Sequence, residues 1–349
     1  FTHWIGGMGV LVFILCLLPL TGGYHMNLMK AESPGPSVSK LVPKVQSTAK
    51  ILYTIYIILT VVEIIFLLIG KMPLFDTLCL SFGTAGTGGF GIKNDSIASY
   101  STYNQVVITV FMILFGINFN AYYLLLTKKV MQAAKNEEVR YYLGIIGLAI
   151  VAIAINTREM FTSFGRAFQQ AAFQVGSIIT TTGYATTDFN VWPVFSKTIL
   201  VILMFVGACA GSTGGGIKVS RLLILCKSAR KELQLYLHPN AVKKIKMDDK
   251  AIPHEVVRAT NMFLFVYIMI FVISLLIISL DNLDMVSNFT AIAATLNNIG
   301  PGLGAVGPTG NFNTYSYISK GVMIFDMLAG RLEVFPLLLL FKRDTWRKF

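Results

Sequence analysis

Charged residues are scarce in this sequence of 349 residues: Asp, Glu, Lys and Arg make up 13% of it, whereas hydrophobic residues make up 54%. A typical soluble domain carries about 25% charged residues. The low charge and a mean hydropathy of +0.66 exclude a disordered chain and disfavour a typical cytosolic enzyme. Because the apolar residues come in long runs rather than in alternation, the sequence predicts a membrane protein made of several helices.

Cysteine and histidine are also few, with four residues of each. The cysteines (Cys16, Cys79, Cys209 and Cys226) are widely spaced, so the sequence predicts neither a zinc site nor a disulfide framework. No cluster of His, Cys or acidic residues is visible on facing helices, and we expect neither an enzyme nor a cofactor on this chain. The sequence starts at Phe1 within an apolar run that lacks a basic leader, which favours a fragment over a signal peptide.

Seven apolar runs are candidates for membrane-spanning helices, which need roughly 20 apolar residues. These runs cover residues 5–20, 51–70, 106–127, 141–155, 196–226 with a break after 206, 261–280 and 319–341. The segments between the runs alternate between two kinds. One kind is basic (29–50, 128–140, 218–258 and 342–349), and the other is weakly apolar and ends in glycine (73–91, 161–183 and 284–307).

The distribution of positive charge predicts the orientation in the membrane. The basic segments hold 22 of the 29 Lys and Arg residues, whereas the glycine-ended segments and their flanks hold six. An excess of Lys and Arg is typical of cytoplasmic loops, so we expect the basic segments and the C-terminus in the cytoplasm. The net charge of +12 then indicates topology and contact with lipid, and we expect no nucleic-acid partner.

The alternation is also an internal repeat, in which each unit reads as a helix, a short apolar half-helix, a glycine turn and a second helix. The three turns are Thr87-Gly88-Gly89, Thr181-Thr182-Gly183 and Asn298-Ile299-Gly300. The half-helices are too short to cross a membrane, and irregular backbone at membrane depth must be enclosed by protein or line water. Each turn taken alone favours a simple re-entrant break, but three turns in matching positions favour a pore.

Such turns suit an ion filter, because backbone carbonyls can replace the water shell of a potassium ion and glycine permits the close approach. The sequence therefore predicts potassium contacts from the nine turn residues just named. Acidic residues follow two of the turns, Asp95 and Asp188, where they would concentrate cations at the mouth of the pore.

A glycine-rich segment interrupts what would otherwise be one helix from residue 192 to 236. Five of ten consecutive residues are glycine, and each costs a helix roughly 1 kcal/mol relative to alanine. A flexible gate below the filter and tight helix packing through small residues both explain it, and we favour the gate. The predicted gate residues are Gly207, Cys209, Gly211, Ser212, Thr213, Gly214, Gly215 and Gly216.

Arg331 is the one basic residue inside a predicted span, where an arginine costs roughly 2.5–3.5 kcal/mol on insertion scales. Two roles remain open for it and are compatible. It could form an ion pair with Glu63, Asp326 or Glu333, or it could face the pore and raise the barrier to cations, holding the gate segment through carbonyls.

Three stretches imitate nucleotide-binding motifs. Residues 86–91 and 302–307 satisfy G-x-G-x-x-G, but neither follows a strand. Residues 211–218 resemble a phosphate loop, but Ile217 separates the last glycine from Lys218. We reject all three as nucleotide sites.

Four segments together resemble the Trk/Ktr/HKT superfamily of potassium transporters, in particular its bacterial TrkH/TrkG branch. They are Thr2-His3-Trp4-Ile5-Gly6-Gly7-Met8-Gly9, the loop 210–218, the segment 298–304 and Gly330-Arg331-Leu332-Glu333. The resemblance implies an all-α membrane fold with four helix–pore-helix–helix repeats around a pseudo-fourfold pore. It also implies that Gly89, Gly183 and Gly300 are filter glycines, that the broken helix is the gate, and that Arg331 faces the pore.

The resemblance further implies a homodimer in the bacterial inner membrane, controlled by a cytoplasmic nucleotide-binding ring of the TrkA/KtrA type. Any NAD or ATP would then bind that partner. The sequence departs from the family in lacking the first helix, pore helix and filter of repeat one. We expect residues 1–50 to hold the second helix of repeat one and a linker, 51–140 repeat two, 141–258 repeat three with the gate, and 259–349 repeat four. The alternative function is a proton- or sodium-coupled cation symporter.

Overall fold

The computed structural model describes residues 1–9, 45–238 and 244–331, and these residues are mostly helical. In chain order the α-helices are α1 (Thr2–Gly7), α2 (Val45–Ile69), α3 (Leu74–Ala85), α4 (Thr102–Phe115), α5 (Phe119–Leu126), α6 (Val130–Ala134), α7 (Glu137–Asn156), α8 (Phe164–Ile179), α9 (Val194–Val206), α10 (Val219–Leu237), α11 (His254–Ile278), α12 (Met285–Leu296) and α13 (Tyr317–Arg331). Strands β1 (Lys246–Met247) and β2 (Lys250–Ala251) form a small antiparallel hairpin. Single 3-10 turns cover Arg158–Met160, Phe189–Val191, Ser279–Asp281, Gly304–Val306 and Phe312–Thr314.

The helices follow one order three times: a long apolar helix, a short helix, a glycine turn and a further helix. The long helices are α2, α7 and α11, and the short ones are α3, α8 and α12. Polar residues cap the N-terminal ends of two of the short helices by accepting backbone N–H groups: Ser163 caps α8 and Asp284 caps α12. Each short helix is largely buried towards its C-terminal end, which brings the turns that follow into the interior.

Three helices in the described part of the chain are long and apolar enough to span a membrane alone. They cover Thr48–Ile69, Glu137–Asn156 and His254–Asp281 and agree with the predicted spans 51–70, 141–155 and 261–280. Their outward faces carry large exposed apolar side chains, among them Leu148, Phe265 and Leu276. Contiguous apolar surface of this kind indicates contact with lipid. Of the predicted spans 5–20 and 319–341, residues 10–20 and 332–341 lie outside the described residues.

The candidate span over residues 106–127 is not a single helix. Helices α4 and α5 meet there at an angle of 91°. Gly116 ends α4, and the Asn118 side chain accepts the backbone N–H of Asn120 at 2.9 Å, which starts α5 in a new direction. The carbonyls freed by the bend find partners elsewhere in the chain, as described below, so the break leaves few backbone groups unsatisfied.

Short helix α1 is held against α2 by hydrogen bonds from aromatic side chains. Tyr56 donates its hydroxyl to the Trp4 carbonyl at 2.8 Å, and the Trp4 indole N–H donates to Thr60 Oγ1 at 3.1 Å. His3 lies 3.2 Å from the Gly86 carbonyl at the end of α3. The described residues 1–9 therefore pack beside the first glycine turn.

The bend requires glycine at position 116, because the surrounding residues leave no space for a side chain there. A Cβ there would overlap the hydroxyl of the fully buried Tyr142 and lie 3.0 Å from Thr180 Cγ2. We expect Gly116→Ala to lower the free energy of unfolding by about 1–3 kcal/mol, because overpacking displaces buried neighbours. Thermal unfolding of the detergent-solubilised protein measures this change. Gly144→Ala is the matched control, since open space surrounds that position and alanine favours helix α7; an equal loss of stability in both variants would contradict the prediction.

Candidate ion pathway

The three short helices end in the same hydrogen-bonded turn, a Schellman motif, in which a backbone N–H beyond the helix reaches back to a carbonyl five residues earlier. These bonds join Gly88 N to Gly83 O at 2.8 Å, Thr182 N to Ser177 O at 2.9 Å and Ile299 N to Ala294 O at 2.8 Å. The turns therefore share one backbone geometry although their side chains differ.

The residue that reverses the chain in this motif has a positive φ in all three turns: +52° at Thr87, +59° at Thr181 and +56° at Asn298. Glycine usually takes this position because a Cβ is strained there, so two threonines and an asparagine are unusual. Strained backbone held by its surroundings is typical of functional sites. Two residues further on, Gly89, Gly183 and Gly300 also have positive φ.

The turns lie next to one another in chain order. A Cβ on Gly89 would overlap the carbonyl oxygen of Thr182, and a Cβ on Gly183 would overlap the carbonyl oxygen of Ile299. The turn at Gly300 faces open space, with no atom of the described residues within 4 Å of its Cβ position. The first turn thus contacts the second and the second contacts the third, as expected for segments placed around one axis.

The two acidic residues predicted at the mouth differ in environment. Asp95 is exposed beyond the first turn. Asp188 is partly buried, and it accepts the Asn190 backbone N–H at 2.9 Å and the Thr309 hydroxyl at 3.3 Å. Asp188 therefore connects the segments that follow the second and third turns, while the Asp95 carboxylate faces solvent.

The glycine-rich segment interrupts the helix between α9 and α10, as predicted. The break starts at Gly207 with a φ of +72° and ends at Lys218 with a φ of +81°. We call residues 207–216 the gate loop, after the role predicted for them from the sequence. Most of it is buried, and its predicted residues Gly207, Cys209, Gly211, Ser212, Thr213, Gly214, Gly215 and Gly216 all lie in this one irregular segment.

The gate loop packs directly against the three turns that follow the short helices α3, α8 and α12. Thr87 donates its hydroxyl to the Thr213 carbonyl at 2.9 Å, and Thr181 accepts the Gly215 N–H at 2.6 Å. A Cβ on Gly215 would lie 2.8 Å from the Asn297 carbonyl, next to the third turn. The loop therefore contacts all three turns at the C-terminal ends of the short helices.

Arg331, the last described residue of α13, contacts the gate loop through backbone carbonyls. It donates to Thr213 O at 3.1 Å, Gly6 O at 2.9 Å and Gly7 O at 3.3 Å. Of the acidic partners considered from the sequence, Asp326 accepts the Ser274 hydroxyl at 2.8 Å, Glu63 is fully buried in α2, and Glu333 lies outside the described residues. One guanidinium thus joins the gate loop to helix α1.

Lys218 was not predicted as a gate residue, although it ends the glycine-rich motif. Its ammonium is buried and donates to the Gly214 carbonyl. A small cavity of about 20 Å³ lies at this place and is lined by Gly214, Lys218, Arg221, Asn297 and Arg331, among others. Three cationic side chains around one narrow space would raise the energy of a cation placed in it. The feature of the sequence that could have indicated this contact is the position of Lys218 just after the glycine-rich segment.

The carbonyls freed at the bend between α4 and α5 also hold the gate loop. Gly116 O accepts the Cys209 N–H at 3.0 Å, and Phe115 O accepts the Thr213 N–H at 3.4 Å. In return, Gly211 O accepts the Phe119 N–H at 3.0 Å. The feature of the sequence that could have indicated this contact is the pair Gly116 and Asn118 in an otherwise apolar run.

The described residues contain no group of three or more His, Cys, Asp or Glu side chains suited to hold a metal.

Comparison with known proteins identifies the family of the chain. The family model TrkH, described as cation transport protein, matches residues 1–347. The chain belongs to the TrkH family of cation transport proteins. It is 39% identical over 355 residues to "Trk system potassium uptake protein TrkH" of Vibrio parahaemolyticus, covering 99% of this chain and 73% of that protein. Against the protein of the same name from Escherichia coli K12 it is 37% identical over 351 residues, covering 99% and 72%.

A solved member of the TrkH family has the same fold. The crystal structure of the potassium transporter TrkH from Vibrio parahaemolyticus superposes with a TM-score of 0.83 at 35% identity, covering 99% of this chain and 72% of that one. The resemblance found in the sequence is therefore confirmed. So is the predicted fold class, an all-α membrane protein of repeated helix–pore-helix–helix units with a potassium-channel-like arrangement.

Proposed function

We propose that this chain conducts potassium ions across the membrane through a filter of backbone carbonyls. The observation that supports this most is the contact of three turns of one backbone geometry in chain order, with Gly89 against Thr182 and Gly183 against Ile299. Carbonyls held in this way can replace the water shell of a monovalent cation. The proposed filter residues are Thr87, Gly88, Gly89, Thr181, Thr182, Gly183, Asn298, Ile299 and Gly300.

The choice of potassium rests on the relatives, whose names state potassium uptake. The C-terminal ends of α3, α8 and α12 are directed towards the turns, and their partial negative charge favours a cation there. The turn residues themselves carry no acidic side chain, so carbonyl dipoles rather than carboxylates would bind the ion.

The gate loop is the proposed barrier to conduction. It is packed beneath the turns, and Lys218 and Arg331 place positive charge beside it. A potassium ion leaving the filter would meet both the loop backbone and these charges, which supports our assignment of the described conformation as closed. Conduction then requires the loop to move away and Arg331 to release Thr213.

The remaining proposals concern the setting of the channel. We place it in the bacterial inner membrane with a cytoplasmic C-terminus, as a homodimer bound to a nucleotide-binding regulatory partner of the TrkA/KtrA type. The basic segments 128–140 and 218–258 support this orientation. We also retain the division into 1–50, 51–140, 141–258 and 259–349 as the repeat boundaries.

The filter is tested by Gly183→Ala in the full-length protein reconstituted in planar bilayers. The added Cβ would overlap Ile299 O and would occupy a backbone conformation that alanine avoids, so the carbonyls must move apart. We expect the reversal potential under opposed potassium and sodium solutions to fall towards zero. Gly165→Ala is the control, because the nearest atom to its Cβ is 4.0 Å away.

An unchanged potassium preference in folded Gly183→Ala protein would reject the carbonyl filter. The same recordings address the coupled symporter. If the potassium current depends on the potassium gradient alone, whatever the proton or sodium gradient, coupled transport is excluded. A potassium current driven by a proton or sodium gradient would instead support the symporter and contradict the channel proposal.

The gate is tested by Arg331→Ala. This change removes charged hydrogen bonds to Thr213, Gly6 and Gly7. Each such bond contributes about 1.5–3 kcal/mol, and we expect rubidium uptake into proteoliposomes to rise about tenfold or more. Arg331→Lys keeps the charge but not the forked geometry, so its uptake should be intermediate. Arg158→Ala, at an exposed site, is the control; uptake in Arg331→Ala equal to the control would show that Arg331 does not close the pathway.

A further inference from the structure

Glu138 is a buried acidic residue near the start of α7, and only 3% of its surface is exposed. Its Oε1 accepts two backbone N–H groups, from Ala210 at 2.6 Å and from Ser220 at 3.1 Å. Its Oε2 accepts the Asn118 side-chain amide at 3.4 Å. One carboxylate therefore has three donors, each from a different part of the chain.

The three donors belong to the segments that border the gate. Ala210 is inside the gate loop, Ser220 is the second residue of α10 just after the loop, and Asn118 lies at the bend between α4 and α5. Glu138 itself is on α7, one of the long spanning helices. The carboxylate thus ties both the middle of the loop and the helix that follows it to a rigid element.

The chemistry of the contact explains why a carboxylate is placed there. Buried carboxylates are costly unless hydrogen-bonded, and the start of α10 presents the Ser220 N–H and partial positive charge to this one. Glu138 itself lies in the first turn of α7, where the partial positive charge of that helix also favours a carboxylate. Movement of the loop would remove the Ala210 donor and leave a buried charge with fewer partners. The carboxylate therefore stabilises the packed position of the loop more than a neutral side chain would.

We propose that Glu138 is a positioning residue that holds the gate loop in its closed position. The proposal depends on the proposed function, in which the loop is the barrier to potassium. Glu138 does not reach the filter turns in any contact described above, so it acts through the loop backbone. Its removal should free the loop without altering the carbonyls of the filter.

Cys209 provides a direct measure of the loop's position. It is fully buried beside Ala210, and its N–H donates to the Gly116 carbonyl. In full-length protein with Cys16, Cys79 and Cys226 changed to serine, the rate at which a small methanethiosulfonate reagent modifies Cys209 measures the opening of the loop. Rubidium uptake by the same proteoliposomes measures conduction.

The variants separate the contact from the general stability of α7. For Glu138→Ala we expect both Cys209 modification and rubidium uptake to rise about tenfold, since a hydrogen bond to a charged group is lost. Glu138→Asp keeps the charge but is one methylene too short for both donors, and it should show smaller rises in both. Glu138→Gln retains one acceptor oxygen and should lie closest to the unaltered protein.

Glu137→Ala is the matched control, because this neighbouring acid pairs with Lys227 rather than with the loop. It should leave both rates unchanged. Size-exclusion profiles identify the variants that fold. If Glu138→Ala does not fold, the test rests on Glu138→Asp.

The outcomes distinguish the two proposals. If Glu138→Ala shows faster modification of Cys209 without increased rubidium uptake, the contact of Glu138 with the loop is supported and the role of the loop as the gate is refuted. Unchanged modification and uptake in folded Glu138→Asp and Glu138→Ala, alongside increased uptake in Arg331→Ala, would overturn the role of Glu138 and leave the gate intact. A rise in Glu137→Ala equal to that in Glu138→Ala would also overturn it.

Discussion

Backbone carbonyl groups at membrane depth need a partner, and this requirement shapes the whole pathway. Carbonyls inside a helix are satisfied by the helix itself. Those in the turns after α3, α8 and α12 leave their helices, and glycines at 89 and 183 let neighbouring turns come into direct backbone contact. A cation that has lost its water shell can interact with such oxygens, so the constraint that makes irregular backbone costly also makes these turns suitable for the proposed filter.

The gate loop satisfies the same requirement with the backbone of the bend between α4 and α5 and with side chains. The carbonyls of Phe115 and Gly116 accept two of its N–H groups. Glu138 and Thr181 accept two more, and its carbonyls accept donors from Thr87, Lys218 and Arg331. Most of these side-chain bonds involve a charged group, which makes them stronger than neutral ones. They explain how five glycines can interrupt a helix inside the membrane domain and still adopt a defined structure. They also connect the loop to α7, α10 and α13, so its position depends on several helices.

The sequence allowed the large features to be predicted because they depend on composition over many residues. Apolar runs of about 20 residues mark α2, α7 and α11, and the repeated glycine turns mark the ends of the short helices. The helix break at 207–216 was predictable too, since several glycines within ten residues outweigh any apolar pattern.

Single side chains with long-range partners could not be predicted in this way. Glu138 lies in a basic, polar segment, where an acidic residue is ordinary, and its partners are 72 and 82 residues further along the chain. The bend at Gly116 was missed because the apolar run continues through it. One glycine is tolerated in most helices. Besides the Asn118 cap, the bend is favoured by the contact with Tyr142 and the hydrogen bonds to Cys209 and Thr213, which come from distant parts of the chain. Arg331 was noticed because charge is costly in a span, but its carbonyl partners come from segments over 100 residues away.

The arrangement of charge follows from the same contacts. Arg331 and Lys218 donate to the carbonyls of residues 213 and 214, adjacent in the loop, so the packed loop helps to hold both cations beside it. Under the proposed gating, displacing the loop would remove the steric barrier and break both of these bonds, while Arg331 also donates to Gly6 and Gly7 of helix α1. A filter that attracts cations would otherwise be followed by a permanent electrostatic barrier. In the proposed mechanism, binding positive charges to the moving segment would let one rearrangement weaken both obstacles, and the Glu138 carboxylate on helix α7 would oppose that rearrangement.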